Sequence, residues 1–220
     1  MSLFFDSSAL ISLAVTCSLP ILRKLKEYYN GDFLITTSVY KETIERAMYS
    51  LRFRYEGYRL KELLDDSVLK IYSDIKLHDQ IIKLMNTINK TYTSNHKTLN
   101  IVQQGEVSTL VACARERGEA FVVDEWAARL ILEDPFYLKF KLENKLHQKL
   151  EIDLNNLSAI NSYLSEKPIV LRSAEFALTA WEKGMLGDNK DALVGLLWAL
   201  KFAGCAITEQ EINYYVQRLA

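Results

Sequence analysis

The stretch GEAFVVDEWAARLI, residues 118–131, decides the fold of this chain, because it predicts a core strand that ends abruptly on charged residues. Residues 120–123 form an apolar run typical of a buried strand, and residues 124 and 125 are both acidic. The apolar spacing that follows predicts a helix beginning at once. Asp124 is then either the cap of that helix or, with acids from other strand ends, a ligand of a metal ion.

The composition predicts a well-packed globular protein without a strong overall charge. The chain has 220 residues, and we expect a single domain over 1–220. An apolar share of 49% and only three prolines argue against disorder. The net charge of −1 excludes a global field that would draw the protein onto nucleic acid, so any contact with RNA must come from local basic patches.

The cysteines and histidines predict neither disulfides nor a zinc site. Cys17, Cys113 and Cys205 are far apart, odd in number and set in apolar helical contexts. We therefore expect reduced, buried thiols in a cytoplasmic protein. The three histidines stand alone in the sequence, which does not favour zinc.

The apolar segment LISLAVTCSLPIL, residues 10–22, is similar in composition to the core of a signal peptide. However, no basic residue precedes it, Asp6 interrupts its approach, and no small-x-small cleavage site follows. It is also too short to span a bilayer. We expect a strand followed by a buried helix, and no membrane partner.

Short apolar runs alternating with helical patterns predict the fold class. The runs predict five strands, at residues 2–5, 33–36, 68–72, 120–123 and 169–171. Such alternation is typical of an α/β fold, with a twisted parallel sheet flanked by helices. We expect one helix from about Tyr49 to Leu64 and a loop at residues 89–100, the most polar stretch in the chain.

Two further regions are predicted to be helical. Residues 133–167 are interpreted as an insertion, in which Leu138, Leu142, Leu146 and Leu150 recur every four residues between lysines. This amphipathic helix packs either on its own domain or on a partner. The tail, residues 175–220, is predicted as helices broken at its glycines.

Four acids are expected at the edge of the sheet where ligands bind in open α/β folds, outside the carboxyl ends of the strands. They are Asp6 after the first strand, Glu42 in the helix after the second, Glu106 at the start of the helix before the fourth, and Asp124 after the fourth. Taken singly, each has a structural explanation as a helix cap, a dipole partner or solvated surface. Taken together, crowded carboxylates need a cation, and oxygen ligands favour Mg²⁺ or Mn²⁺, the ions of phosphoryl chemistry.

The segments that carry these acids resemble motifs of the PIN-domain ribonuclease superfamily, in the prokaryotic branch related to VapC toxins. The segments are LFFDSSALISL (3–13), ITTSVYKETI (35–44), QQGEVSTLVACARERG (103–118), FVVDEWAARLI (121–131) and the helical tail 180–212. The resemblance covers roughly residues 2–46, 104–131 and 168–218. The segments 74–104 and 133–167 are longer than the corresponding segments of compact toxin members, which argues against a toxin role.

The resemblance implies a PIN-like fold and an Mg²⁺- or Mn²⁺-dependent endoribonuclease. The ion would be held by Asp6, Glu42, Glu106 and Asp124, with Ser8 as a hydroxyl just beyond the direct ligands. Either Asp124 or Glu125 could be the fourth ligand; Asp124 is favoured because it is nearer the strand, and Glu125 would then act through water. The implied partners are an RNA substrate, a second copy of the chain in a homodimer, and an antitoxin-like protein.

Three groups of basic residues are candidates for holding RNA. Arg52 and Arg59 share a predicted helical face with Tyr55, although a solvated face with an Arg52–Glu56 ion pair is the simpler explanation. Lys90, His96 and Lys97 lie in the polar stretch. Arg129, a turn beyond Asp124, either steers a phosphate or anchors Glu125.

Two other classes of function compete with the nuclease. A catalytically inactive PIN module would bind RNA or protein without cleaving it. A phosphatase or receiver domain also has an acidic α/β pocket, but Asp6 is followed by Ser7 and Ser8 rather than by the phosphatase Asp-x-Asp-x-Thr pattern, and no switch lysine is identifiable. No Gly-rich phosphate loop of the Walker type is present.

Overall fold

The computed structural model of the chain describes residues 1–95, 97–187 and 189–218. The strands of this part of the chain are β1 (Ser2–Phe5), β2 (Asp32–Thr36), β3 (Leu69–Tyr72), β4 (Tyr92–Ser94), β5 (Lys97–Thr98), β6 (Ala120–Val122), β7 (Glu151–Ile152) and β8 (Ile169–Leu171). The helices are α1 (Ser7–Val15), α2 (Leu19–Tyr28), α3 (Thr37–Tyr40), α4 (Arg46–Tyr49), α5 (Arg54–Asp65), α6 (His78–Asn89), α7 (Gln104–Arg115), α8 (Trp126–Glu133), α9 (Pro135–Leu146), α10 (Leu154–Tyr163), α11 (Ser173–Glu182), α12 (Lys190–Ala203) and α13 (Glu209–Arg218).

The main sheet has the strand order β3-β2-β1-β6-β8, and all its pairings are parallel. The predicted α/β class, a parallel sheet flanked by helices, is therefore confirmed. Each of the five predicted strands begins and ends within about one residue of the observed bounds, well inside the usual boundary error. In the central strands β1 and β6, which are buried on both faces, the strand is a continuous apolar run that is visible without knowledge of its partners.

Each face of the main sheet is covered by its own apolar core. Along β1, Leu3 and Phe5 point into a core shared with α1, α2, α5, α11 and α12. Phe4, between them, points into the other core, with α6, α7, α8 and α9. This alternation follows from the two-residue period of a strand, and it covers both faces of β1 with packed side chains.

The polar stretch at residues 89–100 is not an open loop, which corrects the prediction. Tyr92–Ser94 and Lys97–Thr98 pair as antiparallel strands, and Glu151–Ile152 adds a third strand to this small sheet. Tyr92 is fully buried and donates from its hydroxyl to the carbonyl of Pro135 at 2.8 Å. The partner strand lies about 60 residues further along, so local polarity gave no sign of the pairing.

The region 133–167 contains two helices and a short strand. On α9, Leu138 and Leu142 are buried on the protein's own core, as one of the two alternatives predicted. Leu146 is 39% exposed, because the helix ends there on His147, which has a left-handed φ of 53°. Leu150 is buried beyond the helix.

Two smaller expectations are corrected. The helix predicted over residues 49–64 is interrupted at 50–53, where Ser50 leaves the helical conformation, and α5 begins at Arg54. Cys17 is exposed in a turn with a φ of 58°, whereas Cys113 and Cys205 are buried as expected.

Within the described residues, no single helix has the length and apolar composition needed to cross a membrane; α1 and α2 meet that test only as a pair bent by 115°.

Candidate functional site

The candidate site lies where the chain changes direction across the main sheet. From β1 the chain proceeds to β2 and β3 on one side, and later to β6 and β8 on the other. The carboxyl ends of β1 and β6 therefore form the topological switch point, which is where open α/β sheets bind ligands. Asp6 directly follows β1, and Asp124 and Glu125 follow β6.

Asp6 is fully buried at the start of α1. Its Oδ2 accepts hydrogen bonds from the Ser8 backbone amide at 3.0 Å and the Ser8 hydroxyl at 2.6 Å. Burial is the main cause that raises the pKa of Asp6 to about 6, and the charge of Glu42 adds to it. The Ser8 hydroxyl also accepts from the Asp124 amide at 3.0 Å, so this serine joins the ends of β1 and β6.

Glu42 is exposed and lies on a π-helical turn, Lys41–Glu45, which joins α3 to α4. Such turns are rare and concentrate at functional sites, because the wider turn redirects one side chain. A Cβ on Gly105 would lie 2.9 Å from Glu42 Oε2 and 4.0 Å from Asp6 Oδ1. The glycine therefore lets the start of α7 approach both carboxylates.

Glu106, in the first turn of α7, points to the same place. Its Oε2 accepts from the Gln103 amide at 2.6 Å, which is the reciprocal contact of a capping box. Burial is the largest cause that raises the pKa of Glu106 to about 8. The charges of Asp6, Glu125 and Glu42 raise it further, so these four acids lie within electrostatic range of one another.

Asp124 and Glu125, the two candidates for the fourth metal ligand, have different roles in the structure. Asp124 is fully buried, and its carboxylate accepts from the Ser173 amide at 2.7 Å and the Ser173 hydroxyl at 2.6 Å. It therefore binds the first turn of α11 and not that of α8, the helix that follows it. Glu125, partly exposed at the start of α8, turns towards Glu106 instead.

The acids that come together line a cavity of about 200 Å³. The described residues around it are Asp6, Ser7, Ser8, Ile11, Glu42, Gln103, Gly105, Glu106 and Glu125, and none of them is basic. Asp124 is absent from this lining. Of the four predicted ligands, the structure thus brings Asp6, Glu42 and Glu106 to one cavity, and Glu125 takes the fourth place.

The donor set fits a hard divalent cation by its chemistry. The cavity offers carboxylate and hydroxyl oxygens without thiol or imidazole, and unneutralised acids surround it. As arranged, however, the described residues include no group of three or more His, Cys, Asp or Glu side chains that could hold a metal ion. The carboxylate of Glu106 would have to turn from its capping contact into the cavity before an ion could be shared.

A second cavity, of about 500 Å³, also has Glu42 and Gly105 in its wall and holds both signs of charge, with Lys41 and Arg46 opposed by Glu42 and Asp74. Lys41, Arg46 and His78 contribute to its lining, and all three are exposed. Sequence reasoning missed these residues. The only available signal was that Lys41 and Arg46 flank Glu42 along the chain; the approach of His78 depends on the packing of α6.

The basic residues predicted from the sequence lie elsewhere. Arg59 donates to the Ala14 carbonyl at 3.2 Å, and Arg52 lies in the turn before α5 with its guanidinium 4.9 Å from the Phe53 ring centre. Arg129 pairs with Glu133 at 3.5 Å rather than anchoring Glu125 through its side chain. Lys97 lies on β5 and does not line either cavity, Lys90 follows α6, and His96 lies outside the described residues.

No protein-family model matches this chain, and no curated protein or solved structure matches it significantly.

Proposed function

We propose that this chain is a Mg²⁺- or Mn²⁺-dependent endoribonuclease of the PIN type, with its ion held by Asp6, Glu42, Glu106 and Glu125. One observation carries the proposal: four carboxylates without a basic neighbour line a single cavity at the switch point of the parallel sheet. Burying acids together costs free energy, and a bound divalent cation would offset that cost. RNA as the substrate, rather than another phosphodiester, is supported by the motif resemblance alone.

The chemistry supplied by a bound ion would be activation of water and stabilisation of the charge on the phosphodiester. The protein's own part is to position its acids. Ser8 holds the Asp6 carboxylate with two hydrogen bonds, and Gly105 keeps the space beside Glu42 open. With its pKa near 8, Glu106 holds a proton at neutral pH in the ion-free protein and must release it to become a ligand.

The substrate's phosphates would contact Lys41 and Arg46 in the neighbouring cavity, which also has Glu42 and Asp74 in its wall. Lys41 and Arg46 lie on the same helical segment as Glu42, and His78 faces them from α6. A net-acidic protein with an acidic cavity repels RNA, so cations beside that cavity are needed to bring a phosphodiester to it.

The proposal is tested by substituting Glu42 and its neighbour Glu45, which is exposed on the same π-helical turn but does not line the cavity. Glu42→Gln should reduce cleavage of single-stranded RNA with Mn²⁺ by at least about a hundredfold, whereas Glu45→Gln should cleave as wild type does. Circular dichroism checks that both variants are folded. Equal, undiminished cleavage by both would contradict the proposal.

A catalytically inactive module is the second candidate, and one observation favours it. Asp6, Glu106 and Asp124 all accept hydrogen bonds at helix starts. These bonds stabilise the helices, so the three acids would have a structural role even in a protein that binds no metal. Calorimetric titration with Mn²⁺ separates the two functions. The nuclease requires binding that Asp6→Asn weakens, and the inactive module requires that these side chains bind none.

A further inference from the structure

A partly exposed cluster of rings and lysines lies on α9 and at the start of α8, the helix that begins beside the carboxylate cavity. It consists of Trp126, Tyr137, Phe140, Lys141 and Lys145, and we call it the aromatic–lysine surface. Trp126 opens α8 directly after Glu125, which lines the cavity. The other four residues lie on α9, within the region that makes this chain longer than the compact toxins it resembles.

The rings and cations of this surface are in mutual contact. The Lys141 ammonium lies 4.9 Å from the Trp126 ring centre and 5.9 Å from that of Tyr137, and the Lys145 ammonium lies 5.4 Å from Trp126. Tyr137 and Phe140 stack with their centres 6.0 Å apart and their planes inclined by 20°. Rings and ammonium groups thus form one cluster that runs from the start of α8 onto α9.

The surface is left open by the packing of α9. Leu138 and Leu142 face the core, so Tyr137 and Phe140 face outward and are 48% and 55% exposed. Lys139 forms an ion pair with Glu143 at 3.6 Å, whereas Lys141 and Lys145 form none among the described residues. Two cations without carboxylate partners therefore lie beside exposed rings.

We propose that the aromatic–lysine surface binds single-stranded RNA on one side of the bond to be cut. This inference rests on the proposed nuclease function and names the path of its substrate. Ammonium groups complement phosphates, and exposed ring faces stack on unpaired bases irrespective of sequence. A paired duplex hides its base faces, so the rings favour a single strand.

Binding is measured by fluorescence anisotropy with a labelled single-stranded oligoribonucleotide of about 12 nucleotides, in EDTA so that no cleavage occurs. Lys141→Glu with Lys145→Glu should raise the dissociation constant at least about tenfold and make the salt dependence shallower by roughly 1.4 in logarithmic slope. The matched control, Lys24→Glu with Lys183→Glu, makes the same charge change on α2 and after α11, on other parts of the surface. It should shift binding by less than about threefold.

A second pair of variants tests stacking. Tyr137→Ala should weaken binding at least about fivefold while the salt slope is unchanged, because a ring is lost and no charge. The control is Tyr28→Ala, since Tyr28 is also exposed and Lys183 lies 5.9 Å from its ring centre, the distance of Lys141 from Tyr137. Melting temperatures check folding, and Tyr137→Ala tests the surface should the lysine variant fail to fold.

Failure of this inference is distinguishable from failure of the nuclease. Wild-type RNA binding that the α9 variants weaken supports the surface even if the wild type cleaves nothing with Mn²⁺. Cleavage with a KM unaffected by the α9 variants would support the nuclease function and refute RNA binding by the aromatic–lysine surface. The absence of wild-type binding to the oligoribonucleotide would also overturn it, and would favour a protein partner on α9.

Discussion

At the scale of single residues, the acids of the site serve two purposes that are in conflict. Asp6 and Glu106 each accept hydrogen bonds at the start of a helix, which stabilises the ionised form. Burial has a larger effect in the opposite direction and raises both pKa values, to about 6 and about 8. The ion-free site is therefore a source of instability that a cation would relieve.

This conflict predicts that the ion-free protein loses stability as the pH rises. In the folded state Asp6 keeps its proton up to about pH 6 and Glu106 up to about pH 8, whereas the unfolded chain has lost most of both by pH 5, so the unfolding free energy should fall by roughly 5 kcal/mol between pH 5 and pH 8. Urea unfolding in EDTA measures it. Asp6→Asn should flatten the dependence and Mn²⁺ should restore stability at the upper pH; a rising or flat profile in wild type would contradict the argument.

The two adjacent acids after β6 should behave differently on substitution. Asp124→Ala removes two hydrogen bonds to Ser173 and should lower the unfolding free energy by about 2–3 kcal/mol. Glu125→Ala should leave stability nearly unchanged and weaken Mn²⁺ binding, since Glu125 lines the cavity. The reverse pattern, with metal binding lost only in Asp124→Ala at full stability, would restore Asp124 as the ligand favoured by the sequence.

At the scale of elements, the site depends on the close approach of α7 to the π-helical turn of Glu42. Gly105 makes this approach possible, because any Cβ there would meet Glu42 Oε2 at 2.9 Å. The contact is with the end of a flexible side chain, so a larger residue should displace Glu42 rather than unfold α7. The helix itself would gain from alanine, which is the better helix former.

Gly105→Ala should therefore weaken Mn²⁺ binding about tenfold while the unfolding free energy changes by less than about 1 kcal/mol. Gly195→Ala is the matched control, because Gly195 lies within α12 and its Cβ would meet nothing within 4 Å. That variant should bind Mn²⁺ as wild type does. Equal metal affinity in the two variants would show that the close approach is not needed for binding.

At the scale of the whole molecule, the C-terminal helices are tied to the edge of the sheet that carries the site. The buried Arg172 donates to Glu175 at 2.7 Å and to the Ala206 carbonyl at 2.9 Å, and it forms an ion pair with Glu211 at 2.9 Å. The Ala206 amide donates in turn to the Asp124 carbonyl at 3.0 Å. The tail thus holds the residue next to Glu125 in place.

Arg172→Met should lower the unfolding free energy by about 3 kcal/mol, because it leaves partly buried carboxylates without their cation. Arg117→Met is the control: Arg117 is 82% exposed and 3.8 Å from Glu166, and its loss should cost less than about 0.5 kcal/mol. Urea denaturation measures both. A loss for Arg172→Met no larger than the control's would mean that the tail is held by apolar packing alone.

The five strands of the main sheet, the parallel α/β class and the acids at the carboxyl ends of β1 and β6 could all be predicted from the amino-acid sequence. These features are local, since an apolar run, its length and the residue that ends it are all visible within a few positions. The small antiparallel sheet was not visible, because its strands are short and pair across distant parts of the chain.

Which acids share a cavity depends on the packing of the folded chain. Asp124 and Glu125 are adjacent and chemically alike, and the choice between them depends on Ser173, 49 residues away, whose helix start binds one carboxylate and leaves the other for the cavity. The basic residues divide in the same way: Arg59 and Arg129 meet partners within the fold, whereas Lys41, Arg46 and His78 line the neighbouring cavity. The direction of a side chain depends on its neighbours in space, and a single sequence does not show which residues those neighbours are.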